Sequence, residues 1–504
     1  MILKKRSTFF RESLILIISN LTTGLLRFIF SIILSQKLQA EGMGLYSLIM
    51  PIYDLFTCLI NGGMIAALSK TSAIYFGKDD YDNLHKSVNA ALTFDIIWAI
   101  IIVSLVFINS PYISKYIIKD SRCTKALIVM CPAMIFIALS AILKGYFYGI
   151  SKSKVPSIID ISEKAFRVLV FLFILNLFNI KSVENTVTAT YATLTFGEFT
   201  SFIFLYLFYL KDKRSYNFTN YKSEDSIQLL FDILVISIPL CINGFLTTIL
   251  STISTLIVPR RLMSIGINYN TALSMIGKFS NMASSIPLFP IIILTSICTI
   301  LIPNLSESLN KKDYFSIENK ILKVLKISII LSLATVAVCV TIPNELGYMF
   351  FKRNDLKNYI IFLSFCTPFA YISVVSYAIL NGIGKQKILL KNSIIISIEE
   401  VILLYVLTGI PSINIYSCGI SLILTSITSI ILNFKEITKQ CFIDLTLFNI
   451  FIYILNSIFV FFILNIEKKV INLNNVYIRN SVIIVSGFLI MFILSSITHI
   501  KSKK

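Results

Sequence analysis

Apolar stretches long enough to cross a lipid bilayer recur along the whole of this 504-residue chain. A helix needs about 20 apolar residues to span the hydrocarbon core, and it satisfies its backbone hydrogen bonds internally, as lipid surroundings require. Hydrophobic residues make up 56% of the chain and charged residues only 14%, which leaves too little polar surface for a water-soluble protein of this size. The sequence therefore predicts an all-α integral membrane protein.

The hydropathy pattern predicts fourteen membrane-spanning helices. Two of them, 229–257 and 273–303, are longer than a bilayer requires, so we expect tilt, a break or an extension outside the membrane. The predicted spans are 13–35, 44–68, 88–109, 125–148, 156–178, 186–210, 229–257, 273–303, 321–342, 358–381, 389–409, 413–434, 446–466 and 476–498.

The distribution of basic residues predicts the orientation in the membrane. The start of the chain, "MILKKRSTFFRES", leads directly into the first span and reads as a cytoplasmic anchor. The basic group at 211–222 supports cytoplasmic placement of both termini, whereas the group at 115–125 opposes it. We expect the net charge of +19 to meet anionic lipid headgroups and not nucleic acid.

Histidine and cysteine are not arranged for metal or cofactor chemistry. The nine cysteines are scattered, none lies in a CxxC pair, and most are expected to be small core residues. His85 and His499 cannot form a zinc site with them at any usual spacing. No loop is long enough for a soluble catalytic domain, so the chain is predicted to be neither an enzyme nor a metalloprotein.

A motif at 149–164, "GISKSKVPSIIDISEK", returns in looser form at 382–400 as "GIGKQKILLKNSIIISIEE". Each copy runs into Ser-Ile-Ile and places an acidic residue six positions after that serine, so Glu163 corresponds to Glu399. The copies enter spans 5 and 11, and an offset of six spans puts both on the same side of the membrane, which is a parallel repeat. Chance similarity in an isoleucine-rich chain is the alternative.

The repeat predicts two six-helix lobes followed by two extra helices. The lobes are expected at 1–215 and 216–445, and the extra pair at 446–504. Two bundles about a central axis are typical of alternating-access transporters.

Ionisable residues inside spans are costly and are therefore candidates for function. In span 5 the spacing of four lets Asp160 meet Lys164 and lets Glu163 meet Arg167 on the helix surface. A neutralised clamp between helices and a coupling-ion role, shared with Glu198 of span 6, both remain open for these residues.

Glu399 and Glu400 in span 11 have no basic residue within one turn of their own helix. They must find a cation on another helix, face water or stay protonated. Coupling to a proton or Na⁺ and a structural bond to the other lobe are both consistent with this pattern.

Basic residues outnumber acidic ones near the expected lobe interface. Arg27 and Asp54 lie in the outer halves of spans 1 and 2, and the second half adds Arg260, Arg261 and Lys278. A guanidinium binds phosphate with two hydrogen bonds at once, so these residues predict a basic cavity for a phosphate-bearing substrate. The alternative is an Arg27–Asp54 ion pair that holds spans 1 and 2 together.

Five segments, spread in the same order over nearly the whole chain, resemble the stage V sporulation protein B family. This is the polysaccharide and lipid II flippase branch, with the MurJ-like flippases, of the MOP superfamily that also holds the MATE exporters. The segments are "AEGMGLYSLIMPIYDLF" (40–56), "KGYFYGISKSKVPSIIDISEKAFRV" (144–168), "IVPRRL" (257–262), "LIPNLSES" (301–308) and "SYAILNGIGKQK" (376–387).

The resemblance implies fourteen helices and the movement of an undecaprenyl-pyrophosphate-linked sugar precursor across the bacterial plasma membrane. Family members carry essential arginines in and near span 1, where this chain has Gly24, Ser31 and Gln36. Arg27 projects from the same helix face as Gly24 and Ser31, so we expect one cation to replace two.

A lipid-linked oligosaccharide flippase for peptidoglycan such as spore cortex is the function that these features favour, together with cell-wall synthesis proteins as partners. A MATE-like drug or organic-cation antiporter is the alternative, because Glu198, Glu399 and Glu400 would supply the acidic cavity that it needs. A membrane glycosyltransferase is disfavoured by the short loops and the scarcity of histidine. A scaffold without transport would tolerate neutralisation of every buried charge.

Overall fold

The computed structural model describes residues 2–178, 182–216, 224–441, 447–471 and 475–501. Within these ranges every regular element is a helix and no strand occurs. The prediction of an all-α protein is confirmed.

Seven α-helices are described between residues 2 and 264. They are α1 (Ile2–Asn61), α2 (Met64–Gly77), α3 (Tyr81–Tyr112), α4 (Thr124–Gly149), α5 (Lys154–Phe178), α6 (Val183–Lys213) and α7 (Ser226–Ser264). Short π-helical and 3₁₀ segments at Ile113–Ile118 and Ser121–Cys123 connect α3 to α4.

Ten more α-helices are described between residues 269 and 501. They are α8 (Tyr269–Ile276), α9 (Ser284–Leu288), α10 (Ile291–Asn310), α11 (Tyr314–Thr341), α12 (Pro343–Phe351), α13 (Lys357–Gly382), α14 (Gln386–Leu407), α15 (Ser417–Ile437), α16 (Leu447–Val470) and α17 (Val476–Lys501). A π-helical segment, Gly277–Ala283, joins α8 to α9, and a 3₁₀ turn, Asn414–Tyr416, precedes α15.

The chain divides into two compact units. Unit 1 comprises residues 1–30 and 41–256, and unit 2 comprises residues 31–40 and 257–504. Helices α1 and α7 each contribute to both units, so a single cut in the sequence does not separate them.

Eleven segments of the described chain are long and apolar enough to cross a membrane. Predicted spans 1 and 2 fall in one such segment, Leu14–Gly77. Within it α1 is interrupted at Gln39, where φ is 58°, and α1 is separated from α2 at Gly63, where φ is 77°. Predicted spans 5 and 11 form the regular helices α5 and α14. They are not among the eleven apolar segments because they contain several charged residues.

The long predicted span at 273–303 is broken, one of the outcomes that its length suggests. Its residues form α8, the π-helical segment, α9 and most of α10. Pro287 lies inside α9 and Pro290 precedes α10, and each proline removes a backbone donor from the helical ladder. The other long span, by contrast, is the single 39-residue helix α7.

The two units use the same packing order. In unit 1, α4 packs against α2, α3 and α6, while α5 packs chiefly on α6. In unit 2, α13 packs against α10, α11 and α15, while α14 packs chiefly on α15. Since α5 and α14 carry the two copies of the sequence motif, this correspondence supports a parallel repeat.

The last two helices attach to unit 2 through α11 and α12. Helices α16 and α17 both pack on α11. Ser457 donates a hydrogen bond of 3.0 Å to the carbonyl of Leu333, and Lys468 pairs with Glu345 at 2.7 Å. Both apolar packing and polar contacts therefore hold α16 and α17 against unit 2.

Part of the basic group at 115–125 is neutralised by acidic partners in unit 1. Arg122 pairs with Glu41 at 2.6 Å and with Asp120 at 2.8 Å, and Lys125 pairs with Glu184 at 3.0 Å. These ion pairs offset the positive charge that opposes the expected orientation. That orientation, with both termini in the cytoplasm, remains a prediction.

Helices α2 and α4 approach closely because two glycines on α4 lie one turn apart. A Cβ atom at Gly145 would lie 3.0 Å from the carbonyl oxygen of Ile65, and one at Gly149 would lie 2.6 Å from that of Ser69. Small residues spaced by four are a common way to bring membrane helices together.

We expect Gly149→Ala to destabilise unit 1, because the added methyl group would meet the backbone of α2. Overpacking of this kind costs about 1–3 kcal/mol. Thermal unfolding of the purified protein in detergent should show a lower Tm for the variant. Gly77→Ala is the matched control, since no atom lies within 4 Å of its Cβ position; equal Tm values for the two variants would contradict the packing described.

Candidate functional site

Six ionisable side chains of α4, α5 and α6 form a cluster inside unit 1, here called the unit 1 charge cluster. Glu198 interacts electrostatically with four of the others. Three acids and three bases make the cluster formally neutral. Its members are Lys144, Asp160, Glu163, Lys164, Arg167 and Glu198.

The ion pairs in this cluster differ from those that the sequence spacing suggests. Lys144 Nζ lies 2.7 Å from Asp160 Oδ1 and so joins α4 to α5. Lys164 pairs with its neighbour Glu163. The intrahelical pairs Asp160–Lys164 and Glu163–Arg167 are not formed, because α4 brings Lys144 to Asp160 and Lys164 turns to Glu163. The interpretation of span 5 as a clamp between helices agrees with the first contact.

Several polar atoms of the cluster remain unsatisfied. Glu163 is only 4% exposed, and its Oε1 has no hydrogen-bond partner among the described residues. This oxygen faces Gly197 of α6, where a Cβ would lie 2.7 Å away. The Arg167 guanidinium lies 4.8 Å from the ring centroid of Phe30, and its Nε is buried without a hydrogen bond in the described chain. Glu198 is 6% exposed and makes no ion pair there.

Arg27 and Asp54, the unit 1 candidates for substrate binding, are both exposed. Neither forms an ion pair or a hydrogen bond with the part of the chain that the structure describes. The alternative in which they pair with each other is therefore wrong for this conformation. Arg27 keeps its full set of guanidinium donors on a membrane-spanning helix.

Arg261 of α7 is held by α14 within unit 2. Its Nε donates a 2.8 Å hydrogen bond to the carbonyl of Tyr405, and its guanidinium lies 4.4 Å from that ring's centroid. The side chain crosses Gly409, where a Cβ would lie 2.1 Å from Nη2. The neighbouring Arg260 is exposed.

Lys278 lies in the π-helical segment and is paired in this conformation. Its Nζ lies 2.7 Å from Asp355, which Arg353 also contacts at 2.8 Å. The hydrogen bond from Arg353, followed by that from Lys278, holds the pKa of the Asp355 carboxyl well below its usual value. Lys278 therefore has a protein carboxylate as its partner.

Glu399 and Glu400 of α14 are half-buried and have no basic partner among the described residues. Glu399 accepts a 2.9 Å hydrogen bond from Thr428 of α15. Next to this bond, Asn433 accepts from Asn392 and donates to Ser376, each at 3.0 Å. Helices α13, α14 and α15 thus share a polar interior within unit 2.

Three polar residues are absent from the candidates that the sequence analysis selected, namely Lys144, Thr428 and the buried Asp95 of α3. Lys144 and Asp95 lie inside the predicted spans 125–148 and 88–109, so the rule that selects ionisable residues in spans would have found both. Thr428 becomes visible only when α14 and α15 are packed together. Within the described residues no group of three or more His, Cys, Asp or Glu is arranged to hold a metal ion.

We expect Lys164→Met to destabilise the protein, because it leaves the buried Glu163 carboxylate without its ion-pair partner. Breaking such a pair costs about 3–5 kcal/mol, whereas removing both charges is far less costly. Denaturant titration in detergent should therefore show a loss of unfolding free energy that Lys164→Met/Glu163→Gln largely restores.

Lys311→Met provides the control for this double-mutant cycle. Its ion pair with Glu307 is exposed, with side chains 60% and 49% accessible, and such pairs contribute about 0.2–1 kcal/mol. An equal loss in Lys164→Met and Lys311→Met would show that the unit 1 charge cluster is not a buried, coupled group.

Comparison with known proteins shows which family this arrangement belongs to. Residues 9–309 match the family model described as "Polysaccharide biosynthesis protein". The chain is 21% identical over 440 residues to "Stage V sporulation protein B" of Bacillus subtilis (strain 168), covering 86% of this chain and 84% of that protein.

Two solved structures share the fold. "Lipid II flippase MurJ, inward closed conformation" matches with a TM-score of 0.69 and 14% identity, covering 97% of this chain and 99% of that one. An inward-facing multidrug resistance MATE family transporter of the MOP superfamily matches with a TM-score of 0.66 and 16% identity, covering 83% and 95%. At these identities the likeness establishes the fold alone.

Proposed function

The chain belongs to the polysaccharide biosynthesis protein family, and we propose that it is an alternating-access flippase for a lipid-linked oligosaccharide. The proposed substrate is an undecaprenyl-pyrophosphate-linked precursor of the lipid II type, used for peptidoglycan such as spore cortex. The proposed location is the bacterial plasma membrane, with both termini in the cytoplasm.

The observation that carries this proposal is the unpaired guanidinium of Arg27. A charged side chain on a membrane-spanning helix costs several kcal/mol unless it is paired or hydrated, so an arginine without a protein partner suggests a ligand. Pyrophosphate suits it, because the planar guanidinium makes two parallel hydrogen bonds to phosphate oxygens.

The other candidate substrate-binding residues differ in the protein contacts that they make. Arg260 is the proposed unit 2 counterpart of Arg27 in binding pyrophosphate. Arg261 is fixed by Tyr405, and Lys278 is paired with Asp355, so each would have to exchange a protein contact for a substrate contact. Asp54, exposed and unpaired, is proposed to accept hydrogen bonds from sugar hydroxyl groups.

Energy for transport is proposed to come from the membrane potential or from a coupling ion. Moving one charge across the membrane is worth about 2.3 kcal/mol per 100 mV. Glu163, Arg167 and Glu198 in unit 1, and Glu399 and Glu400 in unit 2, are the proposed coupling residues for H⁺ or Na⁺. The lipid tail would stay in the bilayer, and cell-wall synthesis proteins are proposed to supply and consume the substrate.

Export of organic cations is the second candidate function. Glu399 and Glu400 favour it, because neither carboxylate has a basic partner in the described chain and such a pump needs unpaired acidic groups. The exposed Arg27 and Arg260 disfavour it, since they would repel a cationic drug. Efflux of ethidium from vesicles that contain the protein tests this candidate directly.

We expect Arg27→Ala to slow flipping at least tenfold. Hydrogen bonds to a charged group contribute about 1.5–3 kcal/mol, and 1.4 kcal/mol corresponds to a factor of ten. The measurement is the initial rate at which fluorescent lipid II in proteoliposomes becomes accessible to a membrane-impermeant quencher, with an applied potential.

Arg214→Ala is the matched control, because Arg214 is an exposed arginine of unit 1 at the end of α6. It should flip lipid II at the rate of the unaltered protein, and Arg27→Lys should keep part of the activity. If Arg27→Ala flips as fast as Arg214→Ala, the assignment of Arg27 is wrong. If the unaltered protein moves ethidium and no lipid II, the flippase proposal itself fails.

A further inference from the structure

Asp95, in the middle of α3, is the most completely isolated acidic residue of the described chain. It lies on the apolar segment Tyr81–Ile118 and has no solvent exposure. Both of its carboxylate oxygens are buried, and neither has a hydrogen-bond partner among the described residues. Nothing in the proposed substrate path uses it.

Within the described residues no charged side chain pairs with Asp95. Helices α2 and α4 and the π-helical segment after α3 pack against α3, and α7 lies across a cavity from the α3 residues Phe94 and Trp98. The ionisable side chains on these elements either are exposed or have other surroundings, and none pairs with Asp95. They are Lys70, Tyr75, Lys115, Tyr116, Lys125, Cys131, Lys144, Tyr146, Tyr148 and Asp232.

The thiol of Cys241, on α7, is an ionisable group that interacts electrostatically with Asp95. Its Sγ contacts the carbonyl of Cys58 at 3.4 Å. Thiols are weak donors and carry no charge in apolar surroundings, so they cannot balance an ionised carboxylate. An isolated carboxylate anion in such a place is far more costly than the neutral acid, which is therefore the form that this packing accommodates.

A half-open cavity of about 310 Å³ lies between α3 and α7. Its wall includes Phe94 and Trp98, on either side of Asp95 in sequence, and Cys241 of α7, whereas Asp95 itself does not line it. Unfilled volume here means that α3 and α7 are not fully packed along the turn of α3 that carries Asp95. The two helices therefore have room to move relative to each other here.

The same cavity borders the break between α1 and α2. Gly62 lines it, and a Cβ on this residue would lie 2.8 Å from the Cα of Cys241. Gly63 has φ 77°, which a glycine adopts without strain, and its Cβ position lies 2.7 Å from the carbonyl of Ser237. A glycine break, the α7 backbone and the turn of α3 that carries Asp95 thus border one cavity.

We propose that Asp95 is a proton-binding site of unit 1. In the conformation described here the carboxyl group holds a proton; when α3 and α7 shift into the cavity and admit water, it releases that proton to the water and becomes a carboxylate. The binding site is argued from the geometry of unit 1, whereas its use as the step that couples protons to transport rests on the proposed function.

Trp98 makes this site measurable, because it is the only tryptophan of the chain, lines the cavity and is three residues from Asp95. The experiment follows Trp98 emission against pH in proteoliposomes without substrate. We expect a single titration in the unaltered protein and in Asp82→Asn, a control on the same helix. Asp95→Asn, nearly isosteric with the neutral acid, should lose it.

Two further variants keep the outcome decisive. Asp95→Glu retains a carboxyl group and should keep the titration with a different midpoint. Cys241→Ala removes the neighbouring thiol and should also keep it. A titration that survives Asp95→Asn, or that disappears in Cys241→Ala alone, overturns the proposal.

Flipping rates measured against pH separate the site from the transport function. If Asp95 couples protons to flipping, Asp95→Asn should flatten the pH profile of the lipid II rate. Loss of the Trp98 titration with an unchanged pH profile supports the binding site and overturns the coupling. If the unaltered protein does not flip lipid II but Asp95→Asn still abolishes the Trp98 titration, the proton site stands and the proposed function fails.

Discussion

The cost of placing charged side chains in a hydrocarbon interior is the constraint on which the rest of this structure depends. A helix can hide its backbone from lipid by itself, but it cannot hide a carboxylate or an ammonium group. Each such residue needs a partner on a neighbouring helix, contact with water or a ligand, or a neutral form. Ion pairs between helices are seen directly, whereas ligand contact is what we propose for Arg27 and a neutral form is what we propose for Asp95.

Paired charges hold helices together. Lys144 and Asp160 join α4 to α5, and Lys278 with Asp355 connects the π-helical segment to the turn before α13. Arg261 reaches a similar result without an acid, because the carbonyl and ring of Tyr405 both attract its guanidinium. Arg27 and Asp54 have no such contacts in the described chain, which is why the proposed substrate contacts begin with them.

The two copies of the repeat carry different charges in equivalent places. In α5 the acidic residues lie among lysines and an arginine, so unit 1 contains its own cations. In α14, Glu399 accepts a hydrogen bond from a threonine hydroxyl of α15, and neither glutamate has a basic partner among the described residues. If the two motifs are copies, the helix has kept its position in the packing while the charges on it have diverged.

Sequence reasoning succeeded where a local rule decides the answer. Hydropathy identifies the helices because the bilayer thickness sets their length, and the length of span 273–303 already suggested its break. Sequence reasoning failed to identify the ion-pair partners of Asp160 and Glu163, since a spacing of four says only that two side chains can meet. Whether they do depends on what the next helix offers, and α4 offers Lys144.

The sequence by itself determined that this protein is helical and lies in a membrane, because composition and periodicity involve only neighbouring residues. The spacing of its motifs predicted a parallel repeat, and their resemblance to known sequences pointed to the polysaccharide biosynthesis protein family. Only the tertiary structure decided which charges are paired, which are left alone and where the packing is incomplete. Those outcomes depend on which helices lie side by side, so the burial of Asp95 without a hydrogen-bond partner among the described residues emerges only when the helices around α3 come together.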